Sequence, residues 1–405
     1  MRILIVSSFL PFPLDSGGHV RLFNIIKELS ASHKVILICE KRPYQTQKDI
    51  EVMKQFCEEV HTIPRKKQWS PHVIGKTALS LYPFLMVGHT LPEMKRKIVE
   101  VLAGKTVDVI HVETFYVMQN LPKTYLPVVL VEHNIEYKVY EKFANRAAVF
   151  IRPLLFADIA KIKYWEEKFW KKATRVVAVS KDEQAKMKGI RPSLVPNGVD
   201  VQKFKIQSVT SENNKKRLSG MKGRKVLFIG NFKWIQNQKA ALKILDDIWP
   251  LIVLNKELRA TDLTLWIVGK NIPDKIKAYQ SKHIIIDENA SEETEKIYHA
   301  SDILLAPIEV GGGSSYKILE AMASGIPVVT TELGINGIAA VAGEHALVGK
   351  SNEELANGVI SLLSKHTQYE KIRLAARKFI ESTYNWHVIV HALEEVYQEV
   401  ISQAL

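Results

Sequence analysis

Two short apolar runs, Arg2-Ile3-Leu4-Ile5-Val6-Ser7-Ser8 and Lys225-Val226-Leu227-Phe228-Ile229-Gly230-Asn231, stand over two hundred positions apart, and each leads through a polar loop into a helical pattern. A run without polar alternation is buried on both faces, as central strands of parallel sheets are. Each run therefore opens one half of a chain built from repeated strand and helix. In the first half further strands are expected at 35–39, 109–112, 128–131 and 176–179, with helical periodicity between them as at 19–29. In the second half they fall at 263–268, 284–286, 303–306, 327–330 and 346–348. This alternation specifies an α/β chain with two doubly wound parallel sheets. At 405 residues the chain exceeds one ordinary α/β core, which agrees with two domains. The polar stretch at 208–224, with Ser211-Glu212-Asn213-Asn214-Lys215-Lys216-Arg217 inside it, lacks apolar periodicity and reads as a linker. The expected domains are then 1–207 and 225–383, followed by an amphipathic helix in 384–405 that opens at Tyr384-Asn385-Trp386.

Hydrophobic residues make up 46% of the chain and charged residues 24%, the balance of a folded globular protein. No apolar run reaches the roughly 18 residues that span a bilayer, and the first strand is too short for a signal sequence, so an intracellular, cytoplasmic location is expected. Cys39 and Cys57 lack metal-ligand spacing and read as reduced thiols. The net charge of +13 gathers at Arg65-Lys66-Lys67, Lys95-Arg96-Lys97, 161–172 and Lys215-Lys216-Arg217. No nucleic-acid-reading motif accompanies these clusters. The stretch 69–101 mixes Lys and Arg with Trp69, Tyr82, Phe84, Leu85 and Met86, the composition of a surface helix on an anionic membrane or of a groove-lining helix.

The richest chemistry lies in Pro307-Ile308-Glu309-Val310-Gly311-Gly312-Gly313-Ser314-Ser315-Tyr316-Lys317-Ile318-Leu319-Glu320, where a strand passes through a glycine run into a helix. Glycines let the backbone approach an anion, and the following helix points its free N–H groups and positive dipole end at the loop. Lys317 and Glu320 are three residues apart and share a helix face, which suits a cation for phosphates and an acceptor for a ribose. Asp15-Ser16-Gly17-Gly18-His19 repeats the pattern more simply after the first strand. Val128-Val129-Leu130-Val131-Glu132-His133-Asn134 is a buried strand ending in polar residues, and His133 there is either a sugar ligand or a satisfied core histidine. Pro196-Asn197-Gly198 is a turn, and Gly230-Asn231-Phe232-Lys233-Trp234 follows the second half's first strand. No Asp-x-Asp pair occurs, and His387 and His391, the one His-x-x-x-His spacing, lack a third ligand, so no metal site is expected. No Gly-x-Gly-x-x-Gly follows the first strand, which disfavours a nicotinamide dehydrogenase.

The segment from Leu319 to Val329 resembles the donor-site motif of retaining GT-B glycosyltransferases of family 4, which reads roughly L-E-A-M-A-x-G-x-P-V-V. The family's usual first glutamate is Gly312 here, as in a Gly-Gly-Gly-x-x-x-Lys subgroup. Val179-Ser180, Pro196-Asn197-Gly198-Val199-Asp200 and the His133-Asn134-Ile135-Glu136 continuation resemble further family motifs in the right order. The resemblance implies two Rossmann-like domains facing a cleft, with the last helix crossing back. It implies transfer of a sugar from a nucleotide diphosphate to an acceptor hydroxyl with retention, for a polysaccharide, glycolipid or other hydroxyl acceptor. On that basis Gly17, Gly18, Gly312, Gly313, Ser314 and Lys317 meet the diphosphate, with Gly311 and Ser315 beside them in the substrate-binding loop, Glu320 holds the ribose, and His133, with Asn134 and Glu136 beside it, meets the donor sugar. Asn197, Gly230, Asn231 and Trp234 complete the expected donor surface. The resemblance also implies metal independence and no cofactor beyond the donor. A GT-B epimerase and an inactive sugar-nucleotide-binding partner are the alternatives, the second kept open by Gly312.

Overall fold

The computed structural model describes residues 1–65, 67–206, 223–258, 262–291, 293–309 and 315–404. Residues 208–222 of the expected linker, and Gly311, Gly312, Gly313 and Ser314 of the glycine run, lie outside the described residues. The chain divides into one unit of Met1–Pro196 with Ile389–Leu405, and another of Asn197–Val388.

The first unit holds a parallel sheet of β1 (Arg2–Ser7), β2 (Lys34–Lys41), β3 (Glu59–Pro64), β4 (Val109–Glu113), β5 (Val128–Glu132), β6 (Arg175–Ala178) and β7 (Ser193–Leu194), in the order β3-β2-β1-β4-β5-β6-β7. The strand order reverses between β1 and β4, where Ser7 faces Glu113 in register, and that reversal opens the crevice that parallel sheets use for ligands. Ile3, Leu4, Ile5 and Val6 of β1 are all fully buried, so the unbroken apolar run marks a strand covered on both faces. The helix Gly17–Leu29 starts two residues earlier than its periodicity suggests, because Ser16 is extended and its hydroxyl accepts from His19 N–H. Leu22, Ile25, Ile26 and Leu29 then form the i, i+3, i+4, i+7 stripe that packs on the sheet.

The second unit repeats the plan with β8 (Arg224–Ile229), β9 (Leu263–Val268), β10 (Ile284–Asp287), β11 (Ile303–Ala306), β12 (Val328–Thr330) and β13 (Leu347–Val348), ordered β10-β9-β8-β11-β12-β13 and parallel throughout. Its reversal falls between β8 and β11, the strands that precede the Gly230-Asn231 loop and the glycine run. Apolar clusters cover both faces of this sheet.

Two strands escape the sequence reading. β3 is mostly half-buried and β7 is two residues long; an edge strand lacks the continuous apolar run of a central one. One expectation is corrected. The stretch 69–101 is not one surface helix but three, Pro71–Leu79, Phe84–Gly88 and Pro92–Gly104. Leu85, Met86 and Val87 are buried in the core, and the third helix buries Met94, Ile98 and Val101. Prolines at 71, 83 and 92 break the helical run.

Candidate functional site

In the first unit the polar groups collect at the carboxyl ends of β1, β4 and β5. His111 and Glu113 are two residues apart on β4 and therefore point to the same face of the sheet. Glu113 is fully buried and lies between two histidines: its Oε2 accepts from His133 Nε2 at 2.8 Å, and its Oε1 stands 3.5 Å from His111 Nε2. His111 Nδ1 meets the Tyr397 hydroxyl at 2.5 Å, which brings the last helix, Trp386–Ala404, into the same chain of contacts. Burial by itself would raise the Glu113 carboxyl, but attraction to His133, its hydrogen bond and the approach of His111 outweigh it and hold the group well below the ordinary carboxylate range. A carboxylate only accepts, so the His133 proton must sit on Nε2, and the Nδ1 edge is left for another partner. That edge lies over Gly18, where a Cβ would stand 3.3 Å from Nδ1. Gly18 and His133, expected from separate motifs, are thus brought together, and glycine is what lets the ring approach the helix start. Phe9 stacks on His19 and meets His133 edge-on, closing the other side.

The turn that carries His133 is fixed by distant carboxyl groups. Glu166, from the helix Arg152–Lys172, accepts from Glu136 N–H at 2.7 Å and Tyr137 N–H at 3.1 Å, while Glu183 accepts from Ile135 N–H at 3.0 Å. These are the unpaired donors at the start of the helix Glu136–Ala144. Burial raises the Glu136 carboxyl to about 7, with His133 opposing and Glu183 adding to the shift. Glu132, at the end of β5, accepts from the Trp170 indole at 3.1 Å, and burial followed by repulsion from Glu166 raises it well above its usual value. Asn134 is half-buried in the same turn. Thr114, directly after Glu113, takes φ +74°, a strained conformation for a β-branched residue that costs about 1–3 kcal/mol. The buried Arg21 guanidinium donates to Val195 O and Pro196 O, tying the Gly17-Gly18 helix to the start of the Pro196-Asn197-Gly198 turn.

In the second unit the helix Tyr316–Ala323 buries Ile318, Leu319, Ala321, Met322 and Ala323. Much of the L-E-A-M-A motif is therefore packing, and Lys317 and Glu320 are the amine and the carboxyl that this helix carries. They do not pair with each other. Lys317 Nζ donates to Asn237 Oδ1 at 2.9 Å and lies 4.4 Å from the centroid of the Phe228 ring, whereas Glu320 Oε2 accepts from Tyr298 OH at 2.8 Å. Loss of water lowers the Lys317 amine to about 7, with Glu320 opposing. It raises the Glu320 carboxyl to about 7, against the Tyr298 hydrogen bond and the charges of Lys203 and Lys317. Asn237 also donates to Asn231 O at 2.8 Å and packs on Gly230, where any Cβ would come within 2.8 Å of it. Gly230, Asn231, Asn237 and Lys317 thus form one cluster at the β8 and β11 reversal. Trp234, at the start of the helix Ile235–Lys243, is 56% exposed beside it. Ser315 caps the helix Tyr316–Ala323 without a side-chain bond, and Glu309 pairs with Lys243.

Sequence reading missed Glu113, His111, Tyr397 and Tyr298. For the first two a signal existed: β4 is an apolar strand whose only polar residues alternate and end at the reversal. Among the described residues no three His, Cys, Asp or Glu side chains gather as a metal site, and no helix is long and apolar enough to cross a membrane.

Two family models match successive parts of the chain, one described as Glycosyltransferase Family 4 over residues 16–203 and one as Glycosyl transferases group 1 over residues 223–365. An uncharacterized 44.6 kDa protein in the cps region of Klebsiella pneumoniae is 24% identical over 95% of this chain and 96% of its own. A phosphatidyl-myo-inositol mannosyltransferase of Mycobacterium tuberculosis is 26% identical over 51% of this chain and 53% of its own, about half of that protein. The crystal structure of HepE from Anabaena in complex with UDP-glucose covers 98% of this chain and 100% of its own with a TM-score of 0.65 and 14% identity, which shows a shared fold.

Proposed function

The chain belongs to the family 4, group 1 glycosyltransferases of GT-B fold, and on that premise we propose that it moves a sugar from a nucleoside diphosphate to an acceptor hydroxyl with retention at the anomeric carbon. The observation that carries this reading is the separation of Lys317 from Glu320: an amine and a carboxyl on one helix face, each held by its own partner and each close to neutral-pH titration. A diphosphate beside Lys317 would restore its full charge, and a ribose beside Glu320 would find a positioned acceptor. The Klebsiella cps-region relative and the mycobacterial mannosyltransferase favour an envelope polysaccharide or glycolipid as the acceptor, and the UDP-glucose complex of HepE favours a UDP-sugar as the donor.

In this reading the acceptor oxygen attacks the anomeric carbon from the face that the diphosphate leaves. The bond from that carbon to the phosphate oxygen breaks with its electron pair going to the diphosphate, and the acceptor proton passes to a departing phosphate oxygen. Lys317 and the backbone at the start of the helix Tyr316–Ala323 stabilise the charge that grows there. His133, oriented by Glu113, holds the donor sugar through its Nδ1 edge.

A thermal-shift screen of UDP, GDP and their sugars tests donor binding, since a ligand at about a hundred times its dissociation constant stabilises by roughly 2.7 kcal/mol. Release of free nucleoside diphosphate then separates an enzyme from an inactive binder: donor binding with no release, with or without acceptor, would make this chain a binding partner of another transferase. Because lysine and helix dipole neutralise the diphosphate, turnover is expected to survive dialysis against EDTA. A loss restored by magnesium or manganese would overturn that part.

Glu320→Ala is expected to raise KM for the donor with kcat little changed, because a ribose is held alike in ground and transition states. Steady-state kinetics and donor titration check it; lost turnover at unchanged donor affinity would give Glu320 another role.

A further inference from the structure

We propose that the first unit carries a docking surface for an anionic lipid bilayer, formed by residues 67–84 together with residues 142–156. None of these residues is among the groups assigned above to glycosyl transfer.

Large apolar side chains are left in water here to an unusual degree: Trp69 is 84% exposed, Leu79 93%, Leu81 84%, Phe150 85% and Leu154 75%. The two segments belong to one face. Lys161 Nζ donates to Thr77 O at 3.0 Å and Ser80 O at 2.8 Å, the Trp165 indole donates to Leu81 O at 3.0 Å, and Asp158 accepts from Phe84 N–H at 3.0 Å. The helix Pro71–Leu79 and the turn after it are therefore strapped along the 158–165 stretch of the helix Arg152–Lys172. Leu154 lies one turn before Asp158 on that same strip, and Phe150 lies in the 3-10 turn Val149–Ile151 that leads into it. Trp69 packs against Phe84, with ring centroids 4.8 Å apart, at the other end. Contiguous exposed apolar surface of this kind marks an interaction site.

Charge selects the partner. The chain has 43 Asp and Glu residues, yet none occurs between Glu59 and Glu93, nor between Glu141 and Asp158. Those intervals hold Arg65, Lys66, Lys67, Lys76, Lys142, Arg146 and Arg152. A second copy meeting this face through a two-fold axis would bring like charges together. Anionic headgroups complement the cations while the tryptophan, leucines and phenylalanine enter the acyl boundary. The surface differs from the one read in the sequence: residues 142–156 join it, and the helix Phe84–Gly88 is withdrawn into the core.

The test is cosedimentation of the full chain with vesicles of phosphatidylcholine alone and of phosphatidylcholine with phosphatidylglycerol, at low and high salt. Binding is expected on the phosphatidylglycerol vesicles and is expected to fall steeply with salt. Leu79→Ser with Leu81→Ser, and separately Phe150→Ser with Leu154→Ser, should each weaken it by at least about tenfold per side chain, with melting temperature and UDP binding unchanged. Equal binding of variants and parent, equal binding to both vesicles, or no binding to either would overturn the proposal. So would a dimer in analytical ultracentrifugation that these substitutions convert to monomer, since the face would then be a self-association surface. Because UDP binding is read on the same samples, failure on vesicles leaves the transferase reading untouched.

Discussion

Lys317→Ala is expected to slow turnover by roughly 10²- to 10³-fold, the usual consequence of removing a donor aimed at developing oxyanion charge, worth about 2.7–4 kcal/mol of barrier. Folding should barely change. The amine is desolvated and its principal partner is the neutral Asn237 amide, so its loss leaves no buried charge unpaired. The pH dependence carries the same information. With the amine lowered to about 7, the donor-free protein loses this charge as pH rises through neutrality. The limb of kcat/KM that falls above about pH 7 should therefore be present in the parent and absent from the variant. A purified variant with parental turnover would remove Lys317 from the mechanism.

Glu113→Ala should be among the most destabilising substitutions in the first unit. It removes a fully buried carboxylate from between His111 and His133. Breaking a buried pair costs about 3–5 kcal/mol, and the lower figure applies here because the His133 side chain keeps 17% of its surface in water. For a unit of this size about 3 kcal/mol lowers the melting temperature by roughly 6–12 °C. The linkage sign follows from the depressed Glu113 carboxyl: its stabilisation is complete above the ordinary glutamate value and disappears as pH falls through the lower folded-state value. The gap in melting temperature between parent and variant should therefore be wide at pH 7 and narrow on acidification below about pH 4.5. A variant melting within 2 °C of the parent at pH 7, a limit set well inside the shift expected for a broken buried pair, would show that the pair is not held as described. Turnover should fall as well, since His133 loses the group that fixes its proton and its ring.

How much of this was legible in the sequence depends on the range of the interactions involved. Both sheets were legible because central parallel strands such as β1 and β8 must be apolar on two faces, and that leaves an unbroken run in the chain. The edge strands β3 and β7 are only partly covered and leave no such run. The placement of Lys317 and Glu320 on one helix face followed from their spacing of three, since helical geometry is local. Their partners did not follow: Asn237 and Tyr298 come from other elements of the second unit, and only the folded sheet carries them to the helix. The same holds for His133. Its place at the end of an apolar strand was visible, but its partner was not: Glu113, which takes the Nε2 edge of His133, comes from the neighbouring strand. The exposed apolar face divides in the same way. Its composition was written in the sequence, whereas which side chains sink into the core and which stay in water was settled by the packing of the helices Pro71–Leu79 and Arg152–Lys172. Periodicity and local geometry are properties of neighbouring residues and survive in the sequence; burial, ionisation and partnership depend on groups distant in the chain and exist only once the tertiary structure brings them together.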